Sequence, residues 1–282
     1  MRRVAASASE REGFALVSAI ISVLIFSYIA FAVLAADRGA LAGVDAAMRS
    51  ARLEAAADAG LATAVHALGA ESDNSRWPVD DRAHRMVLNG ADVVITIEEE
   101  RGKAQLNSLD EEQLRRLFQA GGASGPRLDR LVDGVLDWRD DGQRVEGALL
   151  TYARRAVRPR WGPMRTVGEL GEVDGMDANL LARIAPSLTV WGGGEPFVPT
   201  TADPLALSVM STRGVDGVDS IVRQRELAGQ RVALQTGPAS YVGRPLTIRI
   251  VARDPQGGVF RRAVVVEFTG RPLQPYWVRA LD

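Results

Sequence analysis

The chain has 282 residues, 46% of them hydrophobic and 24% charged, and a formal net charge of −1. That balance fits an ordered protein of one or two domains with a sizeable core, and it carries no electrostatic bias toward anionic partners. No cysteine is present and the only histidines are His66 and His84, so disulfides, thiolate chemistry and a multi-histidine metal centre within one chain are excluded.

The first element is an apolar run. A charged leader containing Arg2, Arg3 and Arg11 reaches Gly13, and from Phe14 to Ala36 no charged residue or proline occurs. At about 1.5 Å per residue this run spans about 35 Å, enough to cross a hydrocarbon core of about 30 Å. A membrane span is therefore expected over residues 14–36. Two rivals remain: a buried core helix, and a cleaved secretory signal ending in the small residues of "FAVLAADR". Arginines flank the run on both sides (Arg38, Arg49 and Arg52 follow it), so charge does not orient it. Residues 41–68 are alanine-rich and free of proline, with Leu41, Val44, Met48, Leu61, Val65 and Leu68 at helical steps. One rod of roughly fifty residues is expected, with Gly39 and Gly43 as points of loosening.

Residues 69–84 read as a loop around Trp77-Pro78. Alternation on both sides of Asn89-Gly90 predicts a hairpin whose outgoing strand runs from Asp92 to about Glu100, with Val94, Thr96 and Glu98 sharing a face. A second hairpin is predicted around residues 255–258. Leu246, Ile248 and Ile250 face one way on its first strand, and Val264, Val266 and Phe268 on its second. The two hairpins bracket a helical stretch, about residues 104–236, and are expected to share one antiparallel sheet.

Within that stretch, Ser108 and Glu111 fit a capping box. Leu128, Leu131, Val132, Val135 and Leu136 lie on one helix face. "TVGELGEVDGMDANLLARIAPSLTV" predicts two short helices around Asp174-Gly175. An internal echo pairs Asp110 and Leu114 with Asp203 and Leu207, and Leu131-Val132 with Ile221-Val222. It predicts two similar helical units packed together.

Little in the sequence carries catalysis. It has no phosphate-cradling glycine loop and no G-x-S-x-G elbow, and two histidines leave little room for a nucleophilic triad. The densest acidic cluster is "DGVLDWRDDGQRVEG", in which Asp137 and Asp141 would share a helix face. Oxygen ligands of this kind suit a hard cation, but the spacing is not that of an EF-hand loop. "ELGEVDGMDANLLARI" has the outline of a helix-hairpin-helix unit, a module that grips nucleic-acid phosphates through turn amides. Residues 105–191 carry twelve arginines against thirteen acids, which lacks the basic footprint of such binding. A membrane-anchored nucleic-acid binder remains the alternative.

"EREG" before "FALVS", together with "QLNSL", "DWRDDG", "GELGEVDGM" and the closing hairpin, resembles the K-type minor pseudopilins of type II secretion (GspK) across nearly the whole chain. The resemblance implies an α+β, pilin-like fold: a long N-terminal transmembrane helix on an antiparallel sheet, with a large helical insert. It implies a leader at 1–13, a transmembrane helix at 14–36 and a pilin-like helix and first hairpin at 37–103. The helical insert at 104–236 and the C-terminal hairpin at 237–282 complete it. A prepilin peptidase would cut between Gly13 and Phe14 and methylate the new terminus. Ser18 stands five residues after that cut, where ordinary pilins place a glutamate, and the K type characteristically lacks it. A buried glutamate can pair with the next subunit's terminal amine, so a subunit without one suits a tip.

The implied role is non-enzymatic: capping the pseudopilus with the I- and J-type minor pseudopilins and helping start its assembly. The protein would cross the inner membrane once, with its N-terminus cytoplasmic and its soluble domain periplasmic, and no nucleic-acid partner is implied. No cofactor is implied beyond calcium, for which the resemblance offers Asp137, Asp140 and Asp141. Leu149 occupies a position where relatives carry a further acidic ligand.

Overall fold

The computed structural model describes residues 8–72, 75–80, 82–139, 152, 159–192, 196–211 and 240–281, with backbone alone for residues 8–15 and 33–42. Helix α1, Ala8–Leu68, is continuous for 61 residues and passes through Gly43 without a break. Its alanine content favours helix, and among the described residues tertiary packing holds its C-terminal part. There Leu53, Ala56, Ala57, Ala64 and Leu68 are buried against the sheet. Small residues let the helix lie close: a Cβ added at Gly60 would stand 3.0 Å from Val93 Cγ1.

Among the described residues the sheet has five antiparallel strands in the order β1-β2-β5-β6-β7. β1 (His84–Leu88) and β2 (Ala91–Glu99) form a hairpin closed by Asn89 and Gly90, both at positive φ (52° and 77°). Two left-handed residues are what a type I′ turn needs, and Asn-Gly supplies them. β5 (Pro245–Arg253) and β6 (Val259–Arg271) form the second hairpin, with Leu246 opposite Val266 and Ile248 opposite Val264. β5 also pairs with β2 (Ile95 opposite Ile250), so both hairpins lie in one sheet. Ile95, Ile97, Ile248, Ile250 and Val264 face α1 and are fully buried or nearly so. Val94, Thr96 and Glu98 do share a face, but it is the outer and less buried one. A further strand, β7 (Gln274–Leu281), extends the sheet beyond the expected hairpin and is exposed along most of its length.

Between β2 and β5 the described residues are mostly helical. The order is β3 (Ala104–Gln105), α2 (Glu111–Ala120), α3 (Gly125–Arg139), a 3-10 helix Val167–Glu172, α4 (Ala178–Ile184), β4 (Leu188–Thr189) and α5 (Pro204–Met210). β3 and β4 pair in parallel as a short second sheet. All five apolar residues predicted on one face of α3 are buried, in a second core separate from that under α1.

The capping box of α2 falls two residues later than expected. Asp110, not Ser108, is the N-cap, and it exchanges hydrogen bonds with Gln113. Ser108 Oγ donates instead to the Gln105 carbonyl, because a 3-10 turn over Leu106–Ser108 precedes the helix. Asp203 caps α5 in the corresponding way, and α5 packs on α2, with Leu114 and Leu207 both buried. The remaining members of the echo, Ile221-Val222, lie outside the described residues.

Among the described residues no helix is long and apolar enough to cross a membrane. Of the run at 14–36, side chains are described for residues 16–32, a rise of about 26 Å against a hydrocarbon core of about 30 Å.

Candidate functional site

Three regions hold the residues singled out in the sequence. In the N-terminal part of α1, Gly13 and Phe14 lie on helical backbone and their side chains are outside the described residues. Ser18 is exposed, and its carbonyl accepts a hydrogen bond from Ser22 Oγ at 2.8 Å. Residues 16–32 are exposed all round the helix, including Ile25, Phe26, Tyr28 and Phe31. A helix apolar on every side has no single core to face; it suits lipid or other helices.

The second region is the helical stretch, where "QLNSL" and "GELGEVDGM" prove to be parts of one packing device. The Asn107 side-chain amide donates to the Met164 carbonyl at 2.9 Å, and its carbonyl oxygen accepts from the Met164 amide at 2.8 Å. One asparagine thus behaves like a neighbouring strand toward a segment 57 residues away. Arg139, at the end of α3, donates to the carbonyls of Asn107 (3.1 Å) and Leu109 (2.7 Å).

The turn at Gly175 (φ 86°) lies against α3. Arg127 Nε donates to the Gly175 carbonyl at 3.0 Å, and Arg127 also pairs with Asp177, the N-cap of α4. Gly134 is the point of closest approach, since a Cβ there would sit 2.8 Å from Val173 Cγ1. The Met176 amide is bonded to the Val173 carbonyl. This hairpin is used for internal packing, and its turn faces α3.

Asp137 is fully buried near the end of α3. Asp140 and Asp141 lie outside the described residues. Among the described residues no group of three or more potential ligands gathers around a point. Asp137 supplies a carboxylate of the right donor chemistry for a hard cation.

The third region is one that the residue pattern did not single out: the end of β2, "EEERGK". Glu99, whose side chain has no exposed surface, accepts from Arg101 Nε at 2.7 Å and from Arg244 Nε at 2.9 Å. Lys103, the only lysine, bridges Glu98 (2.9 Å) and Glu100 (2.7 Å). Glu100 also accepts from Thr247, and Glu98 accepts from Arg249 Nε at 2.7 Å. Burial alone would raise the carboxyls of Glu98 and Glu99. The hydrogen bonds and charges of Arg249 and Lys103 on Glu98, and of Arg244 and Arg101 on Glu99, outweigh it and hold both below the usual carboxylate range. Burial would lower Lys103, yet Glu100 and Glu98 hold it above its ordinary value. Three successive acids closing an apolar strand were the available signal, but their partners at 244, 247 and 249 are too distant in sequence to suggest themselves.

These features define a mixed protein, a long helix on an antiparallel sheet with a helical region between two of its strands. Residues 88–193 match the family described as Type II secretion system (T2SS), protein K. A chain of the GspK-GspI-GspJ complex from the enterotoxigenic Escherichia coli type 2 secretion system shares the fold. Its TM-score is 0.58 at 13% sequence identity, over 85% of this chain and 98% of that one. No curated protein matches the sequence. Over residues 88–193 the chain is therefore similar to protein K of type II secretion, and the solved structure shares its fold.

Proposed function

We propose that this chain caps the tip of a type II secretion pseudopilus and helps initiate its assembly at the inner membrane, for export of folded periplasmic proteins. The observation that carries this reading is the construction of α1. It fastens to the sheet from Leu53 onward and leaves residues 16–32 apolar and exposed on all sides. Such a subunit is anchored or assembled through its N-terminal half, in the manner of a pilin. The neighbouring fold comes from a GspK-GspI-GspJ complex, which supports I- and J-type minor pseudopilins as partners. Ser18, without the glutamate that would pair with the next subunit's amine, fits the end of a filament. The role is structural, with no reaction to catalyse.

Processing by a prepilin peptidase between Gly13 and Phe14 would leave residues 14–36 as a single-pass anchor and residues 37 onward in the periplasm. The helical stretch at 104–236 forms an insert in the pilin-like sheet. Mass spectrometry of the mature protein tests the proposal: the N-terminus should be methylated Phe14, and an intact Met1 or a start near Asp37 would overturn it.

Calcium is the cofactor we propose for Asp137, Asp140 and Asp141. The support is the burial of Asp137 two residues before the end of α3, with two further aspartates following in sequence. Bound calcium would supply charge compensation there. Added calcium should raise Tm and a chelator should reverse it; a Tm indifferent to both removes the ion from the account.

A further inference from the structure

The face of the sheet that α1 covers does not stop where α1 stops covering it. α1 packs on β2, β5 and β6. In the register of β6 with β7, Tyr276 lies opposite Phe268, Val278 opposite Val266 and Leu281 opposite Val264. Directly opposed residues of an antiparallel pair share a face. Since Val264, Val266 and Phe268 belong to the core under α1, Tyr276, Val278 and Leu281 continue that core face onto β7, where they are 38%, 52% and 62% exposed. α1 packs on β6 and leaves these β7 residues uncovered, so a groove is open beside it, and at the Tyr276 end it deepens into a cleft of about 660 Å³ where Val65, His66 and Gly69 of α1 meet Phe268, Tyr276 and Val242. The eight residues of β7 run for about 26 Å.

The groove is charged oppositely at its two ends. At the end nearer the N-terminus of α1, Glu54 and Asp58 share a single guanidinium, that of Arg262. Both carboxylates are about half exposed, whereas Arg262 is 15% exposed, so the surface there is acidic. At the other end, where α1 finishes, Arg76 and Arg271 face the cleft together with Glu71, and the surface is basic.

We propose that this groove receives an amphipathic α-helix of a second pilin-like subunit, lying parallel to α1. The proposal rests on the pseudopilin reading above. A helix is favoured over an extended peptide by the direction of the side chains. A strand added to the edge of β7, which is unpaired among the described residues, would satisfy its backbone but leave Tyr276, Val278 and Leu281 bare. A helix beside α1 would cover them, as α1 covers their partners on β6. The charges set its direction. A helix with its N-terminal side at Glu54 and Asp58 and its C-terminal end at Arg76 and Arg271 has its dipole matched at both ends, and that is the direction of α1 itself.

Because the chain has no cysteine, disulfide cross-linking tests this in cells. Tyr276→Cys and Leu281→Cys are made in the full-length chain. Each is expressed with each of the other minor pseudopilins of the same secretion system, carrying single cysteines scanned along the N-terminal helix. Cross-links should recur every three to four residues on one partner, with Leu281→Cys reaching the more N-terminal positions and Tyr276→Cys the more C-terminal ones. Val278→Asp should then reduce their yield about tenfold or more.

The reverse order overturns the parallel docking. A period of two along the partner would make it a strand, disulfides between copies of this chain would make it a self-contact, and no cross-link would leave the groove without this occupant. Any of these overturns the proposal. Ile25→Cys separates the two ideas: if it cross-links to the other pseudopilins while the β7 cysteines do not, the assembly role stands and only the groove fails.

Discussion

Asn107 shows how much one side chain can hold. Its two hydrogen bonds fix the backbone of Met164, a residue 3% exposed, to the turn before α2. Replacing it with alanine leaves a buried amide and carbonyl without partners, which costs about 1–3 kcal/mol. Thermal or urea unfolding of Asn107→Ala should show that loss, and Asn107→Asp should not rescue it, since a carboxylate cannot donate to the Met164 carbonyl. Gly134 makes the complementary point about space. A methyl group there meets Val173 at 2.8 Å, so Gly134→Ala should destabilise by about 1–3 kcal/mol through overpacking, although alanine is the better helix former. An increase in Tm for Gly134→Ala would show that the turn at Val173 yields freely.

At the scale of elements, the end of β2 gives the molecule a definite response to acid. Glu98 and Glu99 have carboxyls depressed by their arginine and lysine partners in the folded state. A depressed carboxyl stabilises the fold above its unfolded pKa, about 4.3 for glutamate, and that contribution is lost as pH falls through the folded value. Tm should therefore hold level from neutral pH down to about 5 and fall below about 4.3. In Glu98→Gln the fall should be shallower, and an unchanged acid limb in that variant would show that the network does not contribute. Glu98 is a third exposed, so solvent screening makes its share the smaller one.

The same strand shows what a sequence discloses. Its apolar alternation and the Asn-Gly turn are local signals, and they place β1 and β2 correctly. The period of two also groups Val94, Thr96 and Glu98 but does not name the element that covers the opposite face; that is α1, which packs there together with β5, about 150 residues away along the chain. β7 escaped because an edge strand exposed on most positions has no alternation to read, and Pro275 argues against a strand. The capping box shifted from Ser108 to Asp110 because a 3-10 turn intervenes, which cap preferences alone do not foresee. Asn107 and Glu99 were invisible as joints for a simpler reason: their partners are 57 and 145 residues distant.

At the scale of the whole molecule, the two larger cores of the described residues meet beside one buried carboxylate. One core lies between α1 and the sheet, the other among α2, α3, α4 and the 3-10 helix. The chain leaves the sheet through Arg101 and re-enters it after Arg244, and both arginines bind Glu99. Removing the shared acceptor leaves two guanidiniums facing each other in a site where each is 16% exposed. Breaking a buried pair from one side costs about 3–5 kcal/mol, and some access to water puts this case toward the lower figure. The cost falls on the joint and on neither core. Glu99→Ala should therefore do more than lower stability; it should uncouple the two cores. Hydrogen exchange can read this directly. In the unaltered protein the slowest amides of β5 and of α3 should exchange with similar protection, as expected for one cooperative unit. In Glu99→Ala the two sets should separate, with α3 losing protection at lower denaturant than β5. If both sets lose protection together by the same amount, the cores are coupled by packing along their whole boundary and Glu99 is one contact among many.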